Sequence, residues 1–201
     1  MPTVYLAGDP QADRLLAEDP LALLIGMLLD QQVPMEWAFS APHRLAERLG
    51  LQRLDADTIA EYDPDALAQI FAQPPALHRF PQAMAERTQK LCRIVREQYN
   101  NDAGALWGGV RTGAQLVARL RALPGFGAQK AQIFTALLGK QFGVEPEGWR
   151  EAAGPFGEEG SYRSVADIVD DESLARVRDY KKRAKAAANG GDAPSVPGRE
   201  G

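Results

Sequence analysis

The chain has 201 residues, of which 45% are hydrophobic and 25% charged, a composition typical of one globular body with an apolar core. Its formal net charge of −4 excludes a protein that holds nucleic acid by bulk positive charge, so any such binding requires a local, oriented site. A single cysteine, Cys92, and only two histidines argue against a disulfide framework, an iron–sulfur cluster held by several cysteines and a histidine-rich metal site, so we expect neither a metal nor another cofactor.

The N-terminal residues MPTVYLAGDPQADRL lack the basic segment and following apolar stretch of a secretory signal. Nowhere in the sequence does an apolar run approach the ~20 residues that a membrane span needs. We therefore expect a cytoplasmic protein without a membrane partner. Residues 3–6 form the only plausible strand, and this segment is too short to build a sheet.

The first strong helical pattern begins at Asp19-Pro20, where proline suits the first turn because an N–H there would have no intrahelical acceptor. The segment LALLIGMLLDQQ that follows is apolar on all sides, which is typical of a buried helix. It is too short to cross a membrane, so we predict that it is the central core helix. Pro34 ends or kinks it, and residues 35–49 are predicted to continue as helix to a stop at Gly50.

Polar caps and apolar periodicity predict further helices along the chain. These helices cover residues 56–61 after Asp55, 64–72 after Asp63, 80–99, a segment opened by Thr112-Gly113, 128–142 before Gly143, and a basic last helix over 170–187. The Gly- and Pro-rich tail over 189–201 is expected to be disordered. The predicted fold class is therefore all-α.

The most informative segment is residues 120–134, LRALPGFGAQKAQIF, which predicts a helix, a tight glycine turn and a second helix. A proline stops the first helix, and Gly125 and Gly127 permit positive φ and the close approach of another backbone. The second helix begins near Ala128, so the free N–H groups of its first turn and the positive end of the helix form a small anion site. One phosphate fits such a site, and Lys130 is near enough to add a charged contact.

The simpler interpretation of this segment is an ordinary αα-hairpin whose glycines only form the corner. However, Leu-Pro-Gly-Phe-Gly followed by a small residue and then by Lys-Ala resembles the helix-hairpin-helix DNA-binding motif. The motif covers about nine residues and is moderately specific.

A second segment extends the resemblance to a whole superfamily. DNA glycosylases of the helix-hairpin-helix, glycine/proline-rich loop and aspartate (HhH-GPD) superfamily carry a buried apolar helix upstream of the hairpin, ending in a Gln-containing turn. Here LLIGMLLDQQVPMEWA occupies that place, and its Gln-Gln-Val resembles the alkyladenine-type members that lack an iron–sulfur cluster. The likeness spans roughly residues 18–150, and it implies one helical unit over 1–188 made of two lobes with a cleft between them.

The resemblance implies a monomeric base excision repair enzyme that binds double-stranded DNA. Such enzymes rotate a damaged or mismatched base out of the duplex and hydrolyse its N-glycosidic bond. Gln32, with Gln31 beside it, matches the family residue that fills the gap left behind, although a plain polar helix end is the alternative. The residues implied to contact DNA are Gln31, Gln32, Leu123, Pro124, Gly125, Phe126, Gly127, Gln129 and Lys130.

The family's catalytic aspartate lies roughly twenty residues after the second hairpin glycine. Counting from Gly127 leads to Glu147, and the chain has no aspartate between Asp102 and Asp167. Glu147 is therefore the predicted catalytic acid, with Glu145 as the other candidate. The alternative is that both are solvated acids at a helix start, stabilised by the helix N-terminus.

Bifunctional members of the family carry a nucleophilic lysine two positions after the second hairpin glycine. In this chain Gln129 takes that position, and Lys130 follows one residue later, which turns its side chain by about 100°. We therefore expect a monofunctional enzyme that uses water and does not cleave the strand.

Two other functions stay open at this point: a catalytically inactive protein that recognises bent or damaged duplex, and a helical protein-interaction module. Three tryptophans, Trp37, Trp107 and Trp149, could stack on a base, although such residues belong more often to the core or the surface. The basic side chains of the last helix either contact the DNA backbone or form a solvated face. Cys92 is expected to be a buried helix residue, and His43 and His78 receive no role.

Overall fold

The computed structural model of the protein describes residues 2–190 and contains no strand within that range. It has ten α-helices and three 3₁₀ helices. The α-helices are α1 (Pro10–Glu18), α2 (Pro20–Leu29), α3 (Met35–Leu49), α4 (Ala56–Glu61), α5 (Pro64–Ala72), α6 (Pro81–Gln98), α7 (Gly113–Arg121), α8 (Ala128–Phe142), α9 (Trp149–Ala152) and α10 (Asp171–Gly190). The 3₁₀ helices are Ala103–Leu106, Gly154–Gly157 and Val165–Asp167. The all-α prediction is confirmed.

Side-chain caps begin the helices where the sequence predicts them, because a cap is a local interaction that the sequence itself encodes. Asp55, Asp63 and Thr112 each accept a hydrogen bond from an amide of the first turn that follows. Asp19 is only 4% exposed and does more. Its carboxylate accepts from Leu21 N–H at 2.9 Å and Ala22 N–H at 3.3 Å, and from the distant Leu54 N–H at 2.8 Å. Asp19 therefore starts α2 and also ties the loop before α4 to it.

The centre of the molecule is α2, in which every residue from Leu21 to Leu29 is buried. It contacts α1, α3, α6 and the first 3₁₀ helix, so its apolar surface is covered in every direction. A Cβ on Gly26 would lie 2.8 Å from Cδ1 of Phe39, and this glycine therefore lets α3 pack closely against α2. Each fully buried Leu or Ile in α2 contributes about 2 kcal/mol of apolar burial. The predicted central core helix is confirmed.

A second group of elements packs around α8, in addition to the group around α2. Helices α7 and α8 pack against each other and are joined by the turn over residues 122–127, and α9 and the last two 3₁₀ helices pack against α8. The Trp149 ring fills the space that a side chain at Gly139 would need, 2.4 Å from its Cβ position. Lys140 Nζ lies 2.5 Å from the Asp167 carboxylate, which joins α8 to the last 3₁₀ helix through a largely buried ion pair.

The expected strand at residues 3–6 is wrong. Leu6 N–H and Ala7 N–H donate to the carboxylate of Asp13 at 2.9 and 2.8 Å, so a side chain of α1 satisfies backbone groups that a neighbouring strand would otherwise bind. The phenol of Tyr5 donates to Asp171 at 2.6 Å and fastens the same segment to the start of α10.

The last helix extends to Gly190 and thus includes the first two residues of the tail expected to be disordered. The rest of that tail, residues 191–201, lies outside the described residues. No helix within residues 2–190 combines the length and the apolar character that a membrane crossing requires. The division of residues 1–188 into two lobes stays a prediction.

Candidate functional site

The turn between α7 and α8 presents its glycines to solvent while its apolar residues anchor it. Leu123 and Phe126 are each only 4% exposed, whereas Gly125 and Gly127 are exposed. Gly125 has a φ of +78°, and a Cβ there would lie 2.6 Å from Cδ1 of Leu28. Only glycine satisfies both conditions without a shift, so this turn packs directly against the end of α2.

Four consecutive amides at the start of α8 have no acceptor among the described residues. The first helical hydrogen bond runs from Ala131 N–H to Gly127 C=O at 3.0 Å, and no side chain caps Gly127. The N–H groups of Gly127, Ala128, Gln129 and Lys130 therefore stay free at the positive end of a 15-residue helix. This arrangement suits an anion such as a phosphate oxygen.

A chain reversal after α2, residues 28–33, lies directly beside the turn, and we call it the α2 end. Lys130 Nζ donates to Leu28 C=O at 3.0 Å and satisfies one of the carbonyls left open where α2 stops. The buried His78 places Nε2 3.1 Å from Leu29 C=O and 3.0 Å from Gln31 C=O. Phe80 N–H donates to His78 Nδ1 at 3.0 Å, so Nδ1 is an acceptor and Nε2 carries the hydrogen. The imidazole is therefore neutral, consistent with burial lowering its pKa.

A cavity of about 470 Å³ opens between the α2 end, the first turns of α8 and the middle of α10, and we call it the α8 cavity. Its volume falls within the usual range for small-molecule sites. Its polar lining residues are Asp30, Gln31, Gln32, Gln129, Lys130, Arg163, Tyr180 and Lys181, and its apolar ones are Met27, Val33, Ile133, Phe156 and Ala184. The cavity therefore joins residues that are up to 157 positions apart in sequence, from Met27 to Ala184.

The charged side chains that line the α8 cavity are one carboxylate, Asp30, and three cations, Lys130, Arg163 and Lys181. Burial raises the pKa of Asp30, and the positive charges of Lys181 and Lys130 oppose that rise. Burial also lowers the pKa of Lys130 to about 8, with Asp30 acting in the opposite direction and Arg87 in the same one. Within residues 2–190, no hydrogen bond or ion pair involves the Asp30 carboxylate, which leaves its oxygens free for water or a ligand.

The two glutamines of the α2 end lie in different surroundings. Gln31 is half-buried, and its amide nitrogen contacts Met84 Sδ at 3.3 Å on α6. Gln32 is exposed at the rim of the α8 cavity with a φ of +58°, a conformation that costs a non-glycine residue about 1 kcal/mol. Strain of this kind at a cavity rim is typical of a residue whose side chain must project at a fixed place.

Neither glutamate predicted as the catalytic acid lies beside the turn. Glu147 N–H donates to Arg111 C=O at 3.0 Å, and Gly113 N–H donates to Glu147 C=O at 2.8 Å. This pair of hydrogen bonds lies at the start of α7, whereas the turn follows the end of α7. The two ends of this nine-residue helix are about 13 Å apart, at ~1.5 Å per residue. Glu147 and Glu145 are exposed, and neither lines the α8 cavity. The helix-start alternative also differs from the structure, because α9 begins only after both acids.

The three tryptophans are structural. Trp37 donates from its indole to Ala76 C=O at 2.8 Å, the rings of Trp107 and Phe134 form an edge-to-face pair, and Trp149 lies against α8. The aromatic residues that line the α8 cavity are Phe156 and Tyr180, which the sequence analysis missed because neither belongs to a recognisable motif. Cys92 is fully buried in α6, as predicted.

The basic side chains of α10 divide into three groups, one of which is the exposed pair Lys182 and Lys185 outside the α8 cavity. Arg176, Arg178 and Arg183 form ion pairs with Glu172, Glu36 and Asp179, respectively. Lys181 instead lines the α8 cavity. The paired arginines therefore have part of their charge neutralised, and Lys181 is the basic residue of this helix that belongs to the candidate site.

Arg87 on α6 is a further basic residue beside the turn that sequence reasoning did not identify. Its Nη1 lies 4.0 Å from the position that a Cβ on Gly125 would occupy, and it forms no ion pair with another described residue. No signal in the sequence links it to the hairpin, since it lies on another helix well upstream. Within residues 2–190 no group of three His, Cys, Asp or Glu residues is placed to hold a metal ion.

One family model matches most of the chain. Residues 25–189 match the family described as HhH-GPD superfamily base excision DNA repair protein. The match covers most of the chain and includes the α2 end, the turn and α8. No curated protein and no solved structure matches the chain.

Proposed function

Because the chain belongs to the HhH-GPD superfamily of base excision DNA repair proteins, we propose that it is a monofunctional DNA glycosylase acting as a monomer on double-stranded DNA. The reaction is hydrolysis of the N-glycosidic bond of a damaged or mismatched base after the nucleotide has rotated out of the duplex. Within the superfamily, the Gln31-Gln32-Val33 segment favours the alkyladenine-type, cluster-free members.

The observation that carries the proposal is the free row of amides at the start of α8 beside the α8 cavity. A helix N-terminus with four unbound N–H groups binds a phosphate oxygen without reading the base sequence. The neighbouring cavity of about 470 Å³ has room for one base, with Phe156 and Tyr180 available for stacking. Gln32 projects at the rim, where a side chain is needed to fill the vacated place in the duplex.

The monofunctional part of the proposal rests on the first turn of α8. Gln129 takes the position at which bifunctional relatives carry their lysine, and an amide cannot attack the sugar. The amine of Lys130 is committed to Leu28 C=O, where it supports the α2 end. Water is therefore the proposed nucleophile.

Duplexes that each carry one damaged or mismatched base test the proposal. We expect one class of lesion to become an alkali-labile site after incubation, with no strand break before the alkali step. Reduction with borohydride during the reaction should trap no protein–DNA adduct. A trapped adduct would contradict the monofunctional reaction, and binding without release from any duplex would favour the inactive DNA-binding protein, which the exposed position of Glu147 also favours.

A further inference from the structure

We propose that Asp30 is the catalytic carboxylate of this protein, which activates the water that replaces the base. This inference rests on the proposed glycosylase function. It assigns the acid to the end of the buried helix α2 rather than to the segment after α8 where counting along the sequence leads.

Asp30 is the only carboxylate that lines the α8 cavity in the described part of the chain. It directly precedes Gln31 and Gln32, so the acid and the residue proposed to fill the vacated place in the duplex both belong to the α2 end. Hydrogen bonds hold the α2 end in place. Asp30 N–H donates to Met27 C=O at 3.3 Å, and His78 and Lys130 bind the carbonyls on either side. A catalytic group on such a support keeps its position without a mobile loop.

The carboxylate oxygens of Asp30 are also available for a hydrogen bond from water or a ligand. The side chain is half-buried, and no described residue donates a hydrogen bond to its oxygens. A structural carboxylate in this protein behaves differently: Asp19 accepts three amides, and Asp167 binds Lys140 together with backbone N–H groups. Asp30 is therefore available to accept a proton from water or to face a developing positive charge.

The charges around Asp30 come from three helices. Lys130 on α8 and Lys181 on α10 favour its ionised form, whereas burial and Glu36 on α3 favour its protonated form. Arg163, which also lines the cavity, is paired with Glu158 at 2.7 Å, and the phenol of Tyr180 completes the titratable lining. Burial makes the carboxylate a stronger base, and the two lysines favour its ionised form.

The reaction balances with water as the only co-substrate. The bond from C1′ to the base nitrogen breaks, and its electron pair leaves with the base. The water oxygen forms the new bond to C1′, and one proton of that water passes to the Asp30 carboxylate. The departing base takes a proton from solvent, and Asp30 returns its proton to solvent, so both groups end as they began.

The Asp30→Asn substitution tests the role directly, because it keeps the shape of the side chain and removes its basicity. We expect base release to fall by about 100-fold or more, the usual contribution of a general base, while affinity for an abasic-site duplex and the thermal midpoint are retained. Asp65→Asn, an exposed aspartate on α5 far from the cavity in sequence, serves as the matched control and should retain wild-type release.

The outcomes separate this inference from the proposed function. Release by the wild type that persists in Asp30→Asn would overturn the role of Asp30, and loss in Glu147→Gln instead would assign the acid to Glu147. A wild type that releases no base from any lesion duplex would overturn the glycosylase function and this inference together.

A second experiment tests the role of Asp30 without substituting Asp30 itself. Lys181→Gln deletes a positive charge that lowers the pKa of Asp30, so the acidic limb of the pH–rate profile should move to higher pH. Lys182→Gln, the exposed neighbour that does not line the cavity, should leave the limb in place. An acidic limb that stays in place in Lys181→Gln would contradict the assignment.

Discussion

At the residue scale, the two glycines of the turn are needed for different reasons. Gly125 combines a positive φ with a Cβ position 2.6 Å from Leu28, so both the backbone and the packing exclude another residue. Gly127 has a φ of −77° and nothing within 4 Å of its Cβ position. The sequence motif contains both glycines but does not reveal this difference, because it arises from the contact with α2.

Separate substitutions of the two glycines should therefore give different results. Gly125→Ala is expected to lower the free energy of unfolding by about 1–3 kcal/mol, from strain and overpacking against Leu28. Gly127→Ala should cost less than about 1 kcal/mol, yet weaken duplex binding for all sequences because the added methyl group obstructs the phosphate. Urea unfolding and a duplex titration measure the two effects. Equal losses of stability would contradict the structural difference between the two positions.

His78 predicts a pH dependence of stability. Burial lowers the pKa of His78 in the folded protein below its ordinary 6.5, so the unfolded chain binds more protons between the two values. The stabilising contribution of the neutral ring is complete above about pH 6.5 and is lost as the pH falls through the folded pKa. Urea unfolding at pH 7.5 and 5.5 should show a larger loss for the wild type than for His78→Gln, whose amide can donate but does not titrate. Equal losses would contradict this role.

At the element scale, capping side chains account for three of the helix starts that the sequence predicts, and apolar periodicity accounts for the uncapped helices α3, α6 and α8. The predicted starts after Asp55, Asp63 and Thr112 agree with the structure because each cap bonds within its own first turn. The short helices α1 and α9 were not predicted, and neither were the 3₁₀ segments. Local caps are present in some of these elements, since Asp9 caps α1 and Ser164 caps the last 3₁₀ helix, but the elements are too short to show a clear apolar period. The last 3₁₀ helix is also held by the distant bond from Lys140 to Asp167.

The cap of α2 should be worth more than an ordinary surface cap. Asp19→Ala removes the acceptor of three amides, two in α2 and one at Leu54, and is expected to cost about 2 kcal/mol or more. Asp63→Ala removes an exposed cap with one amide partner and should cost about 1 kcal/mol. Thermal or urea unfolding of both variants measures the difference. A loss no larger for Asp19→Ala would show that the link to Leu54 contributes nothing.

At the scale of the whole molecule, the acidic net charge and the proposed DNA site are compatible because the site relies on backbone amides. Among the described residues, the cations near the turn and the α8 cavity that have no ion-pair partner are Arg87, Lys130 and Lys181, because Arg163 is paired with Glu158. Counterions are released when cationic side chains neutralise phosphates, whereas neutral amides release none. The salt dependence of binding therefore depends mainly on these three charges.

We therefore expect the logarithm of the duplex affinity to fall with the logarithm of salt concentration with a slope of about −3. Arg87→Gln should make that slope shallower by about 1, because it removes one phosphate contact. Arg93→Gln, an exposed arginine on the same helix but without contact to the turn, should leave it unchanged. A slope several times steeper in the wild type would indicate a broad basic surface that this structure does not contain in its described residues.

The sequence predicts the turn and its neighbour α2 but not the cavity between them. Local motifs identify Gly125, Gly127 and Gln32, since each belongs to a short recognisable pattern. Asp30 and Lys181 come together only in the folded chain, where both line the α8 cavity, and no spacing along the sequence encodes this. Counting from Gly127 to Glu147 assumes that the chain returns to the turn at that point, whereas here it pairs with the start of α7.

The bond from Lys130 to Leu28 and the packing of Gly125 on the same residue fix the separation between the turn and the α8 cavity. Because both contacts tie the turn directly to Leu28 at the end of α2, the proposed function implies that the protein itself sets the number of nucleotides between the bound phosphate and the excised base. A single uncharged methylphosphonate linkage should therefore slow excision at one position along the strand and have little effect when moved by one nucleotide. Walking that linkage through a lesion duplex would measure the spacing directly.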